Sequence, residues 1–211
     1  MERAVVFDIG MVLVEWHPER EYDARIGREA RERLFAETDL HEMNKLIDLG
    51  GHSRDVAYAH AEGFPDWAEQ IRLWHDDWLS MLSPDIPGSA ALLRALRAKG
   101  VKVVALTNFG WNTLDMAKTI YPILTEFDEM FVSGRLGVIK PDPTIYEHVE
   151  RGTGLSGDRL VFVDDSLANV EAARARGWIA HHFTEPKGWA DVLVAEGFLT
   201  ETEARSALDG S

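Results

Sequence analysis

Five short apolar runs do most to limit how this chain can fold. They span residues 4–8, 102–107, 129–133, 160–164 and 178–183. Most are rich in Val, Phe or Ile, and none alternates cleanly with polar residues, which is the pattern of strands buried on both faces. Helical stretches lie between them. Pro87 opens one, Leu92, Leu93 and Leu96 supply its apolar face, and Gly100 ends it. Residues 169–176, closed by Gly177, read as another. Strand–helix alternation of this kind predicts an α/β fold, a doubly wound parallel sheet with right-handed crossovers.

Residues 15–85 break the alternation. The gap is far too long for one crossover, and its content reads as helix. Asp66 is placed to cap a helix in which Trp67, Ile71, Trp74, Trp78 and Leu82 share one apolar face. The Trp stripe is expected to pack a core rather than stack on a ligand. Residues 54–62, after Ser53, predict a second helix and residues 21–36 a third, with a turn at Gly50-Gly51.

Four segments carry chemistry. Asp8 ends the first apolar run and is followed by Ile9-Gly10. Thr107-Asn108 ends the second. Lys140 precedes Pro141-Asp142-Pro143, and Asp164-Asp165 ends the fourth run. Strand ends of an open parallel sheet are where such folds bind ligands. In this order the segments resemble the four motifs of the haloacid dehalogenase (HAD) superfamily, over residues 1–14 and about 86–183. The resemblance implies a Rossmann-like catalytic core from residues 1–14 and 86–211, with 15–85 inserted as a helical cap.

On that resemblance Asp8 is the nucleophile, since a carboxylate can split one hard displacement into two through a covalent intermediate. Ile9 and Gly10 are expected to turn backbone N–H groups toward the incoming anion, with Gly10 permitting the angles this needs. Thr107 and Asn108 are expected to hydrogen-bond a phosphoryl oxygen. Lys140, fixed by the prolines on an extended segment, pairs with Asp8 and the transferred group. Asp164 and Asp165 would repel Asp8 unless a cation neutralises them, and Mg²⁺ suits hard oxygen ligands. The expected metal ligands are Asp8, the Gly10 carbonyl, Asp164 and Asp165, with Asn169 as a positioning residue. Trp16 and His17 are placed near the entrance as substrate-binding residues, whereas His181-His182 reads as structural.

The pattern departs at one place. Most HAD phosphatases carry a second aspartate two residues after the nucleophile, where this chain has Gly10. That acid protonates the leaving oxygen and then activates water, and losing a general acid costs about 10²–10⁴-fold in rate. Either the leaving group departs unprotonated, or Glu15 or His17 reaches in. A similar Asp-x-Gly-x-Val turn with an Asp-Asp loop occurs in a subgroup that includes glucose-1-phosphatases, which this chain resembles most.

The expected function is therefore a Mg²⁺-dependent phosphomonoester hydrolase for a small phosphorylated metabolite, such as a sugar phosphate. Two alternatives stand beside it: a metal-free 2-haloacid dehalogenase, and a non-catalytic phosphometabolite-binding protein. A net charge of −14, spread along the chain, argues against nucleic acid or an anionic membrane as partner. The absence of cysteine excludes disulfides and thiol catalysis. With neither a signal-peptide pattern nor an apolar run near the roughly 18 residues that span a bilayer, a cytoplasmic location is expected.

Overall fold

The structure, a computed structural model, describes residues 2–210. Its strands are β1 (Ala4–Phe7), β2 (Val14–Trp16), β3 (Leu82–Asp85), β4 (Lys102–Thr107), β5 (Glu129–Val132), β6 (Leu160–Asp164) and β7 (Ile179–His182). Five of them form one parallel sheet in the order β5-β4-β1-β6-β7. The chain runs outward from β1 through β4 to β5, then crosses to β6 on the other side. The strand order therefore reverses at β1, and the crevice at its C-terminal end is where open α/β sheets bind ligands.

Both sheet faces are covered, which explains the unbroken apolar runs. Val5, Phe7, Val103, Ala105, Val161 and Val163 face one side. They meet α7 (Pro87–Ala98) and α12 (Pro186–Ala195), the latter packed on α13 (Glu201–Asp209). Alternate residues Ala4, Val6, Val104, Leu106, Leu160 and Phe162 face α10 (Pro143–Thr153) and α11 (Leu167–Ala175). Each fully buried Val or Phe contributes roughly 1.5–3 kcal/mol relative to exposure. A polar residue at any of these positions would lose that and strand a donor or acceptor.

Between β2 and β3 the chain forms α1 (Pro18–Ile26), α2 (Arg28–Thr38), α3 (Leu40–Asp48), α4 (Ser53–Glu62), α5 (Ala68–Asp76) and α6 (Trp78–Met81). It leaves and returns through an antiparallel ribbon that pairs Val14 with Asp85 and Trp16 with Leu82. Two expected helices are broken. The helix over 21–36 is split at Gly27, whose φ of +80° takes the chain out of the helical region. The helix after Asp66 is interrupted at Asp77 (φ −121°, ψ 27°), and Asp66 lies inside a 3₁₀ turn without capping it. Trp74 and Trp78 still share one buried cluster because α6 resumes after a single irregular residue.

The helices on this insertion are docked onto the sheet's C-terminal end. α8 (Trp111–Lys118) and α9 (Ser133–Leu136) receive them. A Cβ at Gly110 would stand 2.6 Å from Ile47 Cγ2, and one at Gly134 would stand 2.7 Å from the Trp111 nitrogen. Only glycine admits so close an approach. Trp111 Nε1 donates to the Gly50 carbonyl at 3.1 Å. A buried polar knot adds to this: Asn112 accepts from Ser53 N–H and donates to Ser53 Oγ, which lies 2.7 Å from His75 Nδ1. Among the described residues no helix is long and apolar enough to cross a membrane.

Candidate active site

The ends of β1, β4 and β6 meet around one side chain. Lys140, in the loop before α10, is almost wholly buried and places its Nζ 2.8 Å from Asp8 Oδ1 and 2.7 Å from Asp164 Oδ2. Its third proton goes to the Leu106 carbonyl at 3.0 Å. Burial works against a charge there, but Asp164 and Asp8 outweigh it and hold the ammonium above the usual lysine range. The Lys140–Pro141 peptide is cis, and Pro143 takes the first position of α10, with Asp142 capping it through Thr144 N–H. The Asp142 N–H donates to the Ile139 carbonyl at 3.0 Å, so the segment turns tightly into the helix instead of leading into it extended.

Asp8 follows β1 directly. Its Oδ1 accepts from Ile9 N–H at 2.7 Å as well as from Lys140, and its Oδ2 has no protein donor among the described residues. Burial pushes the Asp8 carboxyl up to about 8; Lys140 pulls it down, and Asp164 and Asp165 push it further up. Asp164 is saturated. Oδ1 accepts from Ser166 N–H and Asn169 Nδ2, and Oδ2 from Lys140 and Asn169 Nδ2. Asp165 lines the adjoining cavity, and burial first, then Asp164, raises its carboxyl above the ordinary range.

A cavity of about 240 Å³ opens over this cluster. Asp8, Gly10, Asn108, Lys140, Asp165 and Asn169 form its polar floor, and Met11, Trp16, Trp78, Leu82 and Phe109 its apolar wall. Trp16 and Trp78 lie against each other with ring centres 5.2 Å apart. Trp74, by contrast, is fully buried among Trp16, Tyr22 and Phe35, as packing requires.

Several residues sit otherwise than the sequence led us to expect. Ile9 is fully buried, and its N–H serves Asp8 rather than the cavity. The left-handed residue of the turn is Met11 (φ +57°), not Gly10, whose Cβ would meet nothing within 4 Å. Asn108 spends its amide on the Lys140 backbone, accepting from its N–H at 2.7 Å and donating to its carbonyl at 3.0 Å. Thr107 ends β4 almost fully buried and does not line the cavity, and its hydroxyl has no protein partner among the described residues. His17 pairs with Glu15 at 3.1 Å, and neither residue lines the cavity.

Two polar lining residues from the insertion were not anticipated, Asn44 and Asp48 of α3. Leu40, Met43 and Ile47 are the buried face of that helix, and their spacing was the available signal. Asn44 and Asp48 stand four residues apart beside that face and reach the cavity only because α3 docks on Gly110.

The donor set fits a hard divalent cation. One carboxylate oxygen from each of Asp8, Asp164 and Asp165 lies within 4.8 Å of the others. The Gly10 carbonyl, which also lines the cavity, accepts no hydrogen bond among the described residues. Carboxylates forced upward by burial and mutual repulsion are what such an ion relieves. Because Asp164 is saturated by Lys140, Ser166 and Asn169, the oxygens left open are those of Asp8, Gly10 and Asp165.

Known proteins share this arrangement of elements. A HAD-family enzyme from Bacteroides thetaiotaomicron, solved with magnesium and inorganic phosphate, superposes with a TM-score of 0.71 at 20% identity, over 91% of this chain and 99% of that one. A sesquiterpene phosphatase from Aspergillus oryzae, astK, is 28% identical over 195 residues, which is 87% of this chain and 90% of that one. The drimenol cyclase drtB of Aspergillus calidoustus is 42% identical over 182 residues, 84% of this chain but only 33% of the cyclase. The family model for haloacid dehalogenase-like hydrolases matches residues 2–177, taking in Asp8, Thr107, Lys140 and Asp164-Asp165. With the sheet order and the lysine-centred carboxylate cluster, that match makes this chain a member of the haloacid dehalogenase-like hydrolase family.

Proposed function

We propose that the chain is a Mg²⁺-dependent phosphomonoester hydrolase working through an aspartyl phosphate on Asp8, with residues 1–14 and 86–211 as catalytic core and 15–85 as cap. The observation that carries this reading is charge balance. Three carboxylates crowd within 4.8 Å, and Lys140 is the one cation bonded to them among the described residues. Asp8, the Gly10 carbonyl and Asp165 would hold the ion, which when bound offsets carboxylate and phosphoryl charge.

The residues divide the work. Lys140 and Ile9 N–H fix the orientation of Asp8, and Asp164, held by Asn169 and Ser166, fixes Lys140. Asn108 holds the Lys140 backbone in place. The Gly10 N–H, without a partner among the described residues, lies at the cavity and is open to a phosphoryl oxygen. Asp8 attacks phosphorus, the ester bond to the leaving oxygen breaks, and water then releases phosphate. Catalysis rests on positioning and charge neutralisation.

The wall of Trp16, Trp78, Leu82, Met11 and Phe109 supports an apolar alcohol as the leaving group, and the similarity to a sesquiterpene phosphatase supports the same reading. Phosphate release from terpenyl and alkyl phosphates, sugar phosphates and p-nitrophenyl phosphate, with Mg²⁺ or EDTA, tests both parts. Release that needs Mg²⁺, is lost in Asp8→Asn and favours apolar esters is expected. EDTA-insensitive chloride release from a 2-haloacid, with no phosphate released, would instead establish the dehalogenase.

A further inference from the structure

Glycine at position 10 leaves the nucleophile's turn without an acid. We propose that Asp48, at the C-terminal end of α3, donates the proton to the leaving alcohol and then accepts one from the attacking water. This rests on the phosphatase reading above.

Position comes first. Asp8, Asp48 and Asp165 are the carboxyl groups that line the cavity among the described residues. Asp8 is the nucleophile and Asp165 would hold the ion, which leaves Asp48 for proton transfer. Glu15 and His17 pair with each other away from the lining.

Asp48 is also held as a catalytic acid needs to be. Asn44 Nδ2 donates to Asp48 Oδ2 at 2.9 Å, and Trp74 Nε1 fixes the other end of that amide by donating to Asn44 Oδ1 at 2.9 Å. The backbone N–H of Gly110 also favours the charged form of this carboxyl. A Cβ at Gly110 would stand 2.6 Å from Ile47 Cγ2, so glycine there lets α3 pack this closely and bring Asp48 to the cavity.

Chemistry agrees with position. Burial pushes the Asp48 carboxyl up to about 7, while the Gly110 N–H, the Lys140 charge and the Asn44 amide pull it down. Lys140 is the charged group acting on it. On the elements packed against α3, Arg135 of α9 is paired with Asp115, and Arg54 of α4 lies over the Tyr58 ring. A carboxyl that exchanges protons near neutrality serves both halves of the reaction.

The steps balance. Asp8 forms a bond to phosphorus as the phosphorus–oxygen bond to the alcohol breaks; the departing pair takes the proton from Asp48. The Asp48 carboxylate then removes a proton from water as its oxygen attacks phosphorus, and the Asp8–phosphorus bond breaks to return the Asp8 carboxylate.

The test compares Asp48→Asn with wild type, loaded with Mg²⁺, on n-hexyl phosphate and p-nitrophenyl phosphate. A poor leaving group needs the proton and nitrophenolate does not. Asp48→Asn is expected to lose at least ~10²-fold on the first half-reaction with hexyl phosphate. It should keep a stoichiometric burst of nitrophenol, followed by slow turnover. Gly10→Asp, for which the structure leaves open space, should recover hexyl phosphate turnover in the Asp48→Asn background.

Equal rates for Asp48→Asn and wild type on hexyl phosphate would overturn the proposal and leave the phosphatase reading intact. So would a loss on both substrates with no burst and no recovery, in protein whose melting temperature is unchanged. A wild-type enzyme that releases no phosphate from either ester would overturn both.

Discussion

Replacing Lys140 with Met removes one charge while keeping the stem that fills the same space. The magnitude follows from the contacts. Nζ bonds Asp8 at 2.8 Å, Asp164 at 2.7 Å and the Leu106 carbonyl at 3.0 Å, in a side chain that is 1% exposed. Taking one partner from a buried ion pair costs about 3–5 kcal/mol. Two carboxylates with oxygens within 4.8 Å of each other would otherwise repel by at least roughly 3 kcal/mol at an effective dielectric near 20. Asp164 keeps Ser166 N–H and Asn169, whereas Asp8 keeps only Ile9 N–H, so the loss falls on Asp8, whose carboxyl burial already raises and which is driven further toward its protonated form. We expect Lys140→Met to lose about 3–5 kcal/mol in urea denaturation at pH 7.5 without metal. That is a large part of the roughly 5–15 kcal/mol that holds most domains together. Phosphate release should vanish, and Lys140→Arg should not restore it, since a planar guanidinium cannot reach three converging acceptors from that position. A loss below about 1 kcal/mol, the size of an exposed pair, would refute the reasoning.

Other consequences can be checked separately. Asp48 has its folded pKa raised from 3.8 to about 7, so its share of stability is full below about pH 4 and is lost as pH rises toward 7. Relative to Asp48→Asn, wild type should therefore lose about 1–3 kcal/mol between pH 5 and 7, after screening at the cavity; parallel curves would show the group ionised throughout. Gly110→Ala places a Cβ 2.6 Å from Ile47 Cγ2 and should cost about 1–3 kcal/mol and slow turnover by shifting α3, whereas Gly10→Ala, in open space, should leave the melting temperature unchanged. Trp16→Ala should lower kcat/KM for alkyl phosphates by about 10–100-fold, the worth of one apolar side chain, with less effect on acetyl phosphate.

How much was readable before folding differs sharply between the two parts of the chain. The sheet was legible because Val5, Val104 and Phe162 sit in strands buried on both faces, where apolar content alone marks the element. Asp8, Thr107 and Asp164 were legible because each ends or directly follows such a strand, and Lys140 because its Lys-Pro-Asp segment resembles a family motif. The insertion was not. Gly27 breaks a helix that periodicity would carry straight through, and Asp77 breaks another without disturbing its apolar face. Asp48 was invisible for a stronger reason: its place at the cavity depends on α3 packing closely on Gly110, some 60 residues away in sequence. Likewise, the hydrogen bonds that turn Asn108 toward Lys140 are set by loop geometry and not by residue type.

The measurement that tests the central claim most directly is the mass of the peptide containing Asp8 after rapid acid quenching of turnover, run in ¹⁸O-water. The account requires a phosphoryl adduct on Asp8, ¹⁸O in the released phosphate, and none in the Asp8 carboxylate, because water attacks phosphorus. Heavy oxygen in Asp8 would mean attack at the carboxyl carbon of an aspartyl ester. Undiminished phosphate release by Asp8→Asn, with no adduct in wild type, would contradict the account outright.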